Sequence, residues 1–137
     1  MDMRAFDEVV VRRFRAGEEI EGLHRDRLLL LTTTGRHSGE RRTAPMMFVR
    51  FDDDPLVIAS DDGAARHPSW LLNLRADPHA RVETPDGRAA EVVAEELTGD
   101  ERIVAWDDLV ARFPFFAEQQ ERAGDRVIPL VRLRSCD

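Results

Sequence analysis

Between Thr32 and Thr43 the chain runs Thr-Thr-Thr-Gly-Arg-His-Ser-Gly-Glu-Arg-Arg-Thr, which sets hydroxyls, two glycines and three arginines into one short stretch. Forked guanidinium groups match the paired oxygens of phosphate or carboxylate, and glycines allow a turn whose backbone N–H groups face the same anion. Arg36, Arg41 and Arg42, with the hydroxyls of Thr34 and Ser38, are therefore candidate anion ligands. Three arginines against Glu40 leave this stretch at +2 with His37 neutral, whereas the whole chain carries −7. An anionic ligand requires such a local reversal, because the global field would otherwise repel it. An ordinary hairpin connection with solvated arginines is the competing reading, although that needs one glycine and no hydroxyl cluster.

Two further constellations stand out. In His67-Pro68-Ser69-Trp70-Leu71-Leu72-Asn73-Leu74, helical spacing puts Trp70, Asn73 and Leu74 on one face. Trp70 reads as a core side chain, whereas an amide on a buried face needs partners, which makes Asn73 the more informative residue. Phe113, Phe115 and Phe116 surround Pro114; they suit core packing or one wall of a pocket for a flat apolar ligand. Hydrolysis and phosphoryl transfer have no support, since no Ser-His-Asp order, carboxylate pair or phosphate-binding lysine loop is visible. All 20 basic residues are arginine, which excludes Schiff-base chemistry, and tyrosine is absent. His24, His37, His67 and His79 lack metal-ligand spacing, and the one cysteine, Cys136, reads as an exposed thiol near the chain end. A difficult reaction on this chain would need an organic cofactor.

These residues must be positioned by a chain of 137 residues, the size of one domain, with 42% hydrophobic and 34% charged residues. No apolar run is long enough to span a bilayer and the start lacks the pattern of a secretory signal, so a cytoplasmic location is expected. Net acidity argues against nucleic-acid binding.

Helical spacing over residues 5–16, stopped by Gly17, predicts a leading helix within residues 1–17. Strands are predicted at 28–34, 42–51 and 56–60, with the anion-binding stretch and Asp52-Asp53-Asp54-Pro55 as the turns. A short helix at 67–75 leads to two strands, 80–84 and 88–96, joined by Pro85-Asp86-Gly87, where Asp-Gly is expected to supply positive φ angles. Thr98 and Glu101 have capping-box spacing for a helix to about Arg112. A second helical piece covers 115–123 and a last strand 126–134. The sum is a single α+β domain, 1–137, in which a mostly antiparallel six-stranded sheet curls into a barrel over residues 27–134 with peripheral helices inserted.

The anion-binding stretch, then Pro45-Met46-Met47-Phe48, Ala59-Ser60 with Gly63, His67-Pro68-Ser69-Trp70 with Asn73, Phe113-Pro114-Phe115-Phe116 and Arg126-Val127-Ile128-Pro129 occur in the order found in one family. From Leu28 to Leu133 the chain resembles the deazaflavin-dependent nitroreductases and quinone reductases. The resemblance implies a split β-barrel related to FMN-binding barrels and a cofactor, coenzyme F420, with a phosphodiester and a polyglutamate tail. By the same resemblance Arg36, His37, Ser38, Arg41 and Arg42 would hold the phosphate and tail, and the ring would lie near Pro45, Met47, Ser60 and Gly63 with Trp70 and Asn73 behind. Hydride would pass from the reduced coenzyme to a quinone, nitroaromatic or other activated acceptor, with Ser60 or solvent as the proton source.

Three departures from the family pattern matter. His37 stands where lysine is usual, Asp61-Asp62 replaces Lys-Gly, and Met47, Phe113, Phe116 and Gln119 occupy substrate-pocket positions where relatives carry tyrosines. The pocket implied is more apolar and poorer in proton donors. Competing readings are an FMN-dependent reductase or oxidase on the same barrel, and a non-catalytic carrier of the coenzyme or of a fatty acid.

Overall fold

The computed structural model describes residues 3–20 and 24–136. Its elements in chain order are α1 (Met3–Arg15), β1 (Leu28–Thr34), β2 (Arg41–Phe51), β3 (Asp54–Ile58), α2 (Ser69–Ala76), β4 (His79–Glu83), β5 (Ala89–Glu96), α3 (Gly99–Arg112), α4 (Phe115–Ala123) and β6 (Leu130–Ser135). The six strands close into an antiparallel barrel in the order β1-β2-β3-β6-β5-β4, with β4 pairing back onto β1. Closure removes the unpaired edges that an open sheet would expose.

The run Leu28 to Leu31 does not alternate with polar residues because both faces of β1 are covered. Leu29 and Leu31 point into the barrel with Val57, Val82, Val131 and Leu133, while Leu28 and Leu30 point outward under Val10 and Phe14 of α1. The same division holds at β3 and β6: Val57 and Val131 face inward, and Leu56, Ile58 and Leu130 face outward beneath Ala105 and Leu109 of α3 and Phe116 and Ala123 of α4. Leu71 and Leu74 of α2 belong to the interior cluster, so this short helix plugs one end of the barrel. That plug carries Trp70 and Asn73 to the rim beside the β1–β2 bend.

Three local expectations are corrected. The closing strand begins at Leu130 and not at Arg126, since the amide of Ile128 is taken by Gln120 Oε1 at 2.9 Å and Pro129 has no N–H to offer a ladder. Thr98 makes no side-chain cap; the chain turns into α3 through Gly99 at φ +57°, so the capping box is not formed. In the β4–β5 turn only Gly87 has positive φ, and the Gly87 amide donates to the Thr84 carbonyl at 3.0 Å. The two-residue turn with both φ angles positive is instead Asp52-Asp53, between β2 and β3. Among the described residues no helix is long and apolar enough to cross a membrane, and no cluster of three His, Cys, Asp or Glu is set to hold a metal ion.

Candidate functional site

The bend between β1 and β2 is held rigidly from within. The Gly35 amide donates to the Glu40 carbonyl at 2.7 Å, the Gly39 amide to the Gly35 carbonyl at 2.8 Å, and the Glu40 amide to Ser38 Oγ at 3.1 Å. A Cβ on Gly35 would lie 2.8 Å from Ser38 Oγ and displace that hydroxyl, and Gly39 takes φ +74°, a conformation that favours glycine. The glycines therefore shape the bend, and their own amides are already used. The amides of His37 and Ser38 have no partner among the described residues and are left for a ligand.

Asn73 fixes the bend to α2. Only 5% exposed, it accepts from the Arg36 amide at 3.1 Å and from Arg36 Nη1 at 2.9 Å, and its Nδ2 donates to Thr33 Oγ1 at 3.1 Å. A second contact, from Arg36 Nη1 to the Ser69 carbonyl at 3.4 Å, aligns the guanidinium along the start of the helix. Both polar atoms of the buried amide have partners, and the result is an arginine aimed by the helix plug.

Beside this arrangement opens a cleft of about 750 Å³, bounded by α1, the bend, the first residues of β2 and the start of α2. It gathers Arg36, His37, Ser38, Arg42, Pro45, Trp70 and Asn73 from the sequence-derived candidates. Its lining joins the cationic Arg36 and Arg42 and the free amides to Ala44, Pro45 and the indole of Trp70 as apolar surface. Its size is that of a cofactor pocket, and the pairing of an anion cradle with a flat wall suits a ring compound that carries a phosphodiester. Thr43, at the edge of the cleft, is steadied by a 2.7 Å hydrogen bond with Thr32.

The remaining candidates lie outside this cleft. Arg41 alternates to the other side of β2, donates to Thr34 Oγ1 at 3.2 Å and borders two neighbouring grooves, one shared with α1 and one with His79 and Cys136. Met47, Phe113 and Phe116 belong to the apolar layer beneath α3 and α4, where Phe116 is 4% exposed and its ring centroid lies 4.3 Å from that of Phe115. Met47 and Phe113 are half-buried at the margin of that layer. Gln119 abuts Asp62 at 3.5 Å, and its Oε1 is buried with no partner. Gly63 is pressed against α4: a Cβ there would stand 2.7 Å from the Gln119 carbonyl. Ser60 offers its carbonyl to Arg126, and its neighbour Asp61, at φ +46°, reaches the cleft instead.

Sequence reasoning missed Arg126. Its guanidinium donates to the carbonyls of Ala59 at 2.9 Å, Ala64 at 2.8 Å and Ser60, and it lies 3.2 Å from His67 Nδ1. It thereby ties the 59–67 segment to the approach of β6. Burial, with Arg75 and Arg126 nearby, pushes the His67 pKa below its ordinary value, which keeps the ring neutral and able to accept from Arg126. The family resemblance marked its segment, Arg126-Val127-Ile128-Pro129, but not its role, because its partners are backbone carbonyls. Asp7 and Thr33, which also line the cleft, were likewise not anticipated.

A family model described as F420H(2)-dependent quinone reductase matches residues 2–134. A putative F420H(2)-dependent quinone reductase of Mycobacterium tuberculosis is 31% identical over 106 residues, covering 77% of this chain and 87% of that protein. A solved structure named as an F420-H2 dependent reductase superposes with a TM-score of 0.70 at 35% identity, covering 82% of this chain and all of that one. Another, described as a domain-swapped dimer, gives 0.72 at 34% identity, with 93% and 95% covered.

Proposed function

The chain belongs to the F420H(2)-dependent quinone reductase family, and on that premise we propose that it reduces a quinone with hydride from reduced coenzyme F420 bound in the cleft between α1, the β1–β2 bend and α2. The single observation that carries this reading is the Asn73-oriented Arg36, set with Arg42 and two free amides in a cleft that Pro45 and Trp70 also line. The bound deazaflavin supplies the hydride.

The chain's own residues bind, orient and exclude water. Arg36, Arg42, Ser38 and the amides of His37 and Ser38 would hold the phosphodiester, where charge-assisted hydrogen bonds are strongest. His37, which also lines the cleft, would present its imidazole to the same anion. Arg41, displaced toward the neighbouring groove, would meet the anionic tail further along. Pro45 and Trp70 would flank the ring and keep water from it. Fixed in place before the coenzyme arrives, this frame restricts the ring to one orientation, so that the acceptor can approach its reactive face. With no phenol in the chain, the acceptors favoured are activated ones such as quinones, and nitroaromatics after them.

Anaerobic oxidation of reduced coenzyme F420 by menadione, followed by the recovery of deazaflavin absorbance, tests this. Turnover that depends on both protein and quinone is expected. Coenzyme binding with no turnover of menadione or a nitroaromatic would make the protein a carrier and overturn the reading.

A further inference from the structure

Helix α1 carries its barrel-facing stripe at Asp7, Val10, Val11 and Phe14, the i, i+3, i+4, i+7 spacing of an apolar face. Three of these pack on Leu28 and Leu30; the fourth is a carboxylic acid. The inversion is sharper because Phe6 and Val9, on the same helix, stand 37% and 38% exposed while Asp7 is half-buried. A carboxyl group on the inward stripe is disfavoured by desolvation unless paired. Asp7 nevertheless has no hydrogen bond or ion pair among the described residues, although cations are near. From α1, Glu8, Arg12 and Arg15 line the adjoining groove, with Arg15 committed to Glu83 at 2.8 Å; from β2 come Arg41 and Arg42, the latter 3.3 Å from Glu40. Across the cleft lie Arg36, His37 and Asp61. Asp7 lines both hollows, the cleft that Pro45 and Trp70 also line and the groove that Arg12, Arg15, Arg41 and Arg42 share.

We propose that Asp7 is the proton donor of the reduction, presented by α1 to the oxygen of an acceptor bound in the cleft. The inference rests on the cleft being the coenzyme site. A quinone that takes a hydride holds the added electron pair as an oxyanion. Transfer from Asp7 breaks its O–H bond and forms the hydroquinone O–H bond, leaving a carboxylate. The second proton of the reduced coenzyme is released to solvent, and one from solvent returns to Asp7, so two electrons and two protons pass in total from coenzyme to quinone.

Two circumstances equip Asp7 for this role. Burial raises its pKa above the ordinary carboxylate value, and an anionic coenzyme in the same cleft raises it again by like-charge repulsion. The chain also has no tyrosine or lysine, and among the described residues the cleft holds one other carboxyl group, the exposed Asp61, and one imidazole, His37.

The test uses the full chain with Asp7→Asn, Asp7→Glu and His37→Ala. Asp7→Asn should lower kcat with menadione about 100-fold with little change in the coenzyme KM. The fall in rate at high pH, present in the wild type as Asp7 loses its proton, should disappear; Asp7→Glu should restore most of the activity. A readout independent of turnover is the proton balance of binding oxidised coenzyme F420, measured by calorimetry in buffers of different protonation enthalpy. Wild type should take up a proton on binding, His37→Ala should keep the Asp7 share of that uptake, and Asp7→Asn should lose it. If Asp7→Asn keeps its kcat within twofold, or its proton uptake matches that of the wild type, the assignment of Asp7 is overturned while the coenzyme reading stands. If the wild type neither binds nor oxidises the coenzyme, both fall together.

Discussion

Asn73 takes both the backbone amide and the guanidinium of Arg36 on one side-chain oxygen, at 3.1 and 2.9 Å, so the direction of a surface arginine is set by a buried residue of the barrel plug. Pocket preorganisation in this protein is therefore a property of the core, and substitutions that never touch a ligand should register in binding.

Asn73→Ala removes three hydrogen bonds, one of them to a charged group, and leaves Thr33 Oγ1 without its donor. We expect a loss of about 2 kcal/mol in urea unfolding and at least tenfold weaker coenzyme binding, because the Arg36 side chain is no longer aimed. Unfolding stability equal to wild type would mean that the bend is held by its internal bonds alone.

Gly63→Ala separates packing from ligand contact. With φ at +77° and a Cβ that would sit 2.7 Å from the Gln119 carbonyl, the substitution should cost about 1–3 kcal/mol of stability through displacement of α4. Coenzyme affinity measured well below the melting temperature should change less than threefold. A large affinity loss at unchanged stability would put Gly63 against the ring after all.

His67 gives stability a pH dependence of definite sign. Its folded pKa lies below the ordinary value of 6.5, so between the two values the unfolded state holds more protons than the folded one. Stability therefore rises with pH across that window and is lost as the pH falls below about 6.5, when a charged imidazole would confront Arg126. Chemical denaturation at pH 7.5 and pH 5.5 should show a difference that narrows in His67→Gln.

The two arginines that follow Glu40 should behave differently, since they alternate across β2. Arg42→Ala, which borders the cleft, should weaken coenzyme binding by about tenfold or more, in line with the roughly 1.5–3 kcal/mol of a charge-assisted contact. Arg41→Ala should leave binding of a coenzyme form without the glutamate tail unchanged and weaken only the long-tailed form. Fluorescence titration with the two coenzyme forms distinguishes these outcomes, and equal losses for both substitutions would contradict the alternation.

The strand sequence and its turns were legible because local chemistry dictates them: Asp-Gly between two apolar runs, two aspartates at a tight reversal, and a leucine run too apolar for one exposed face. The cationic end of the cleft was legible for the same reason, since Arg36, His37, Ser38 and Arg42 come from one contiguous stretch. What eluded the sequence are contacts made across it. Asp7 reaches the cleft only because α1 docks on the outside of β1 and β2. Arg126 acts on carbonyls more than 60 positions away, a role that its place in the Arg126-Val127-Ile128-Pro129 segment does not reveal. Phe113 and Phe116 could line a pocket or fill a core with the same composition, and only the packing of α3 and α4 distinguishes the half-buried Phe113 from the buried Phe116. The capping box at Thr98 was a correct spacing overruled by Gly99, whose positive φ sets how the chain turns into α3.

The most direct measurement is the position of the coenzyme's phosphorus in crystals of this protein grown with coenzyme F420. The account predicts phosphate oxygens within hydrogen-bonding distance of Arg36, Arg42 and the Ser38 amide, with the ring against Pro45 and Trp70. A phosphate seated away from residues 36–42, for example in the hollow beside Arg66 and Arg126, would contradict it.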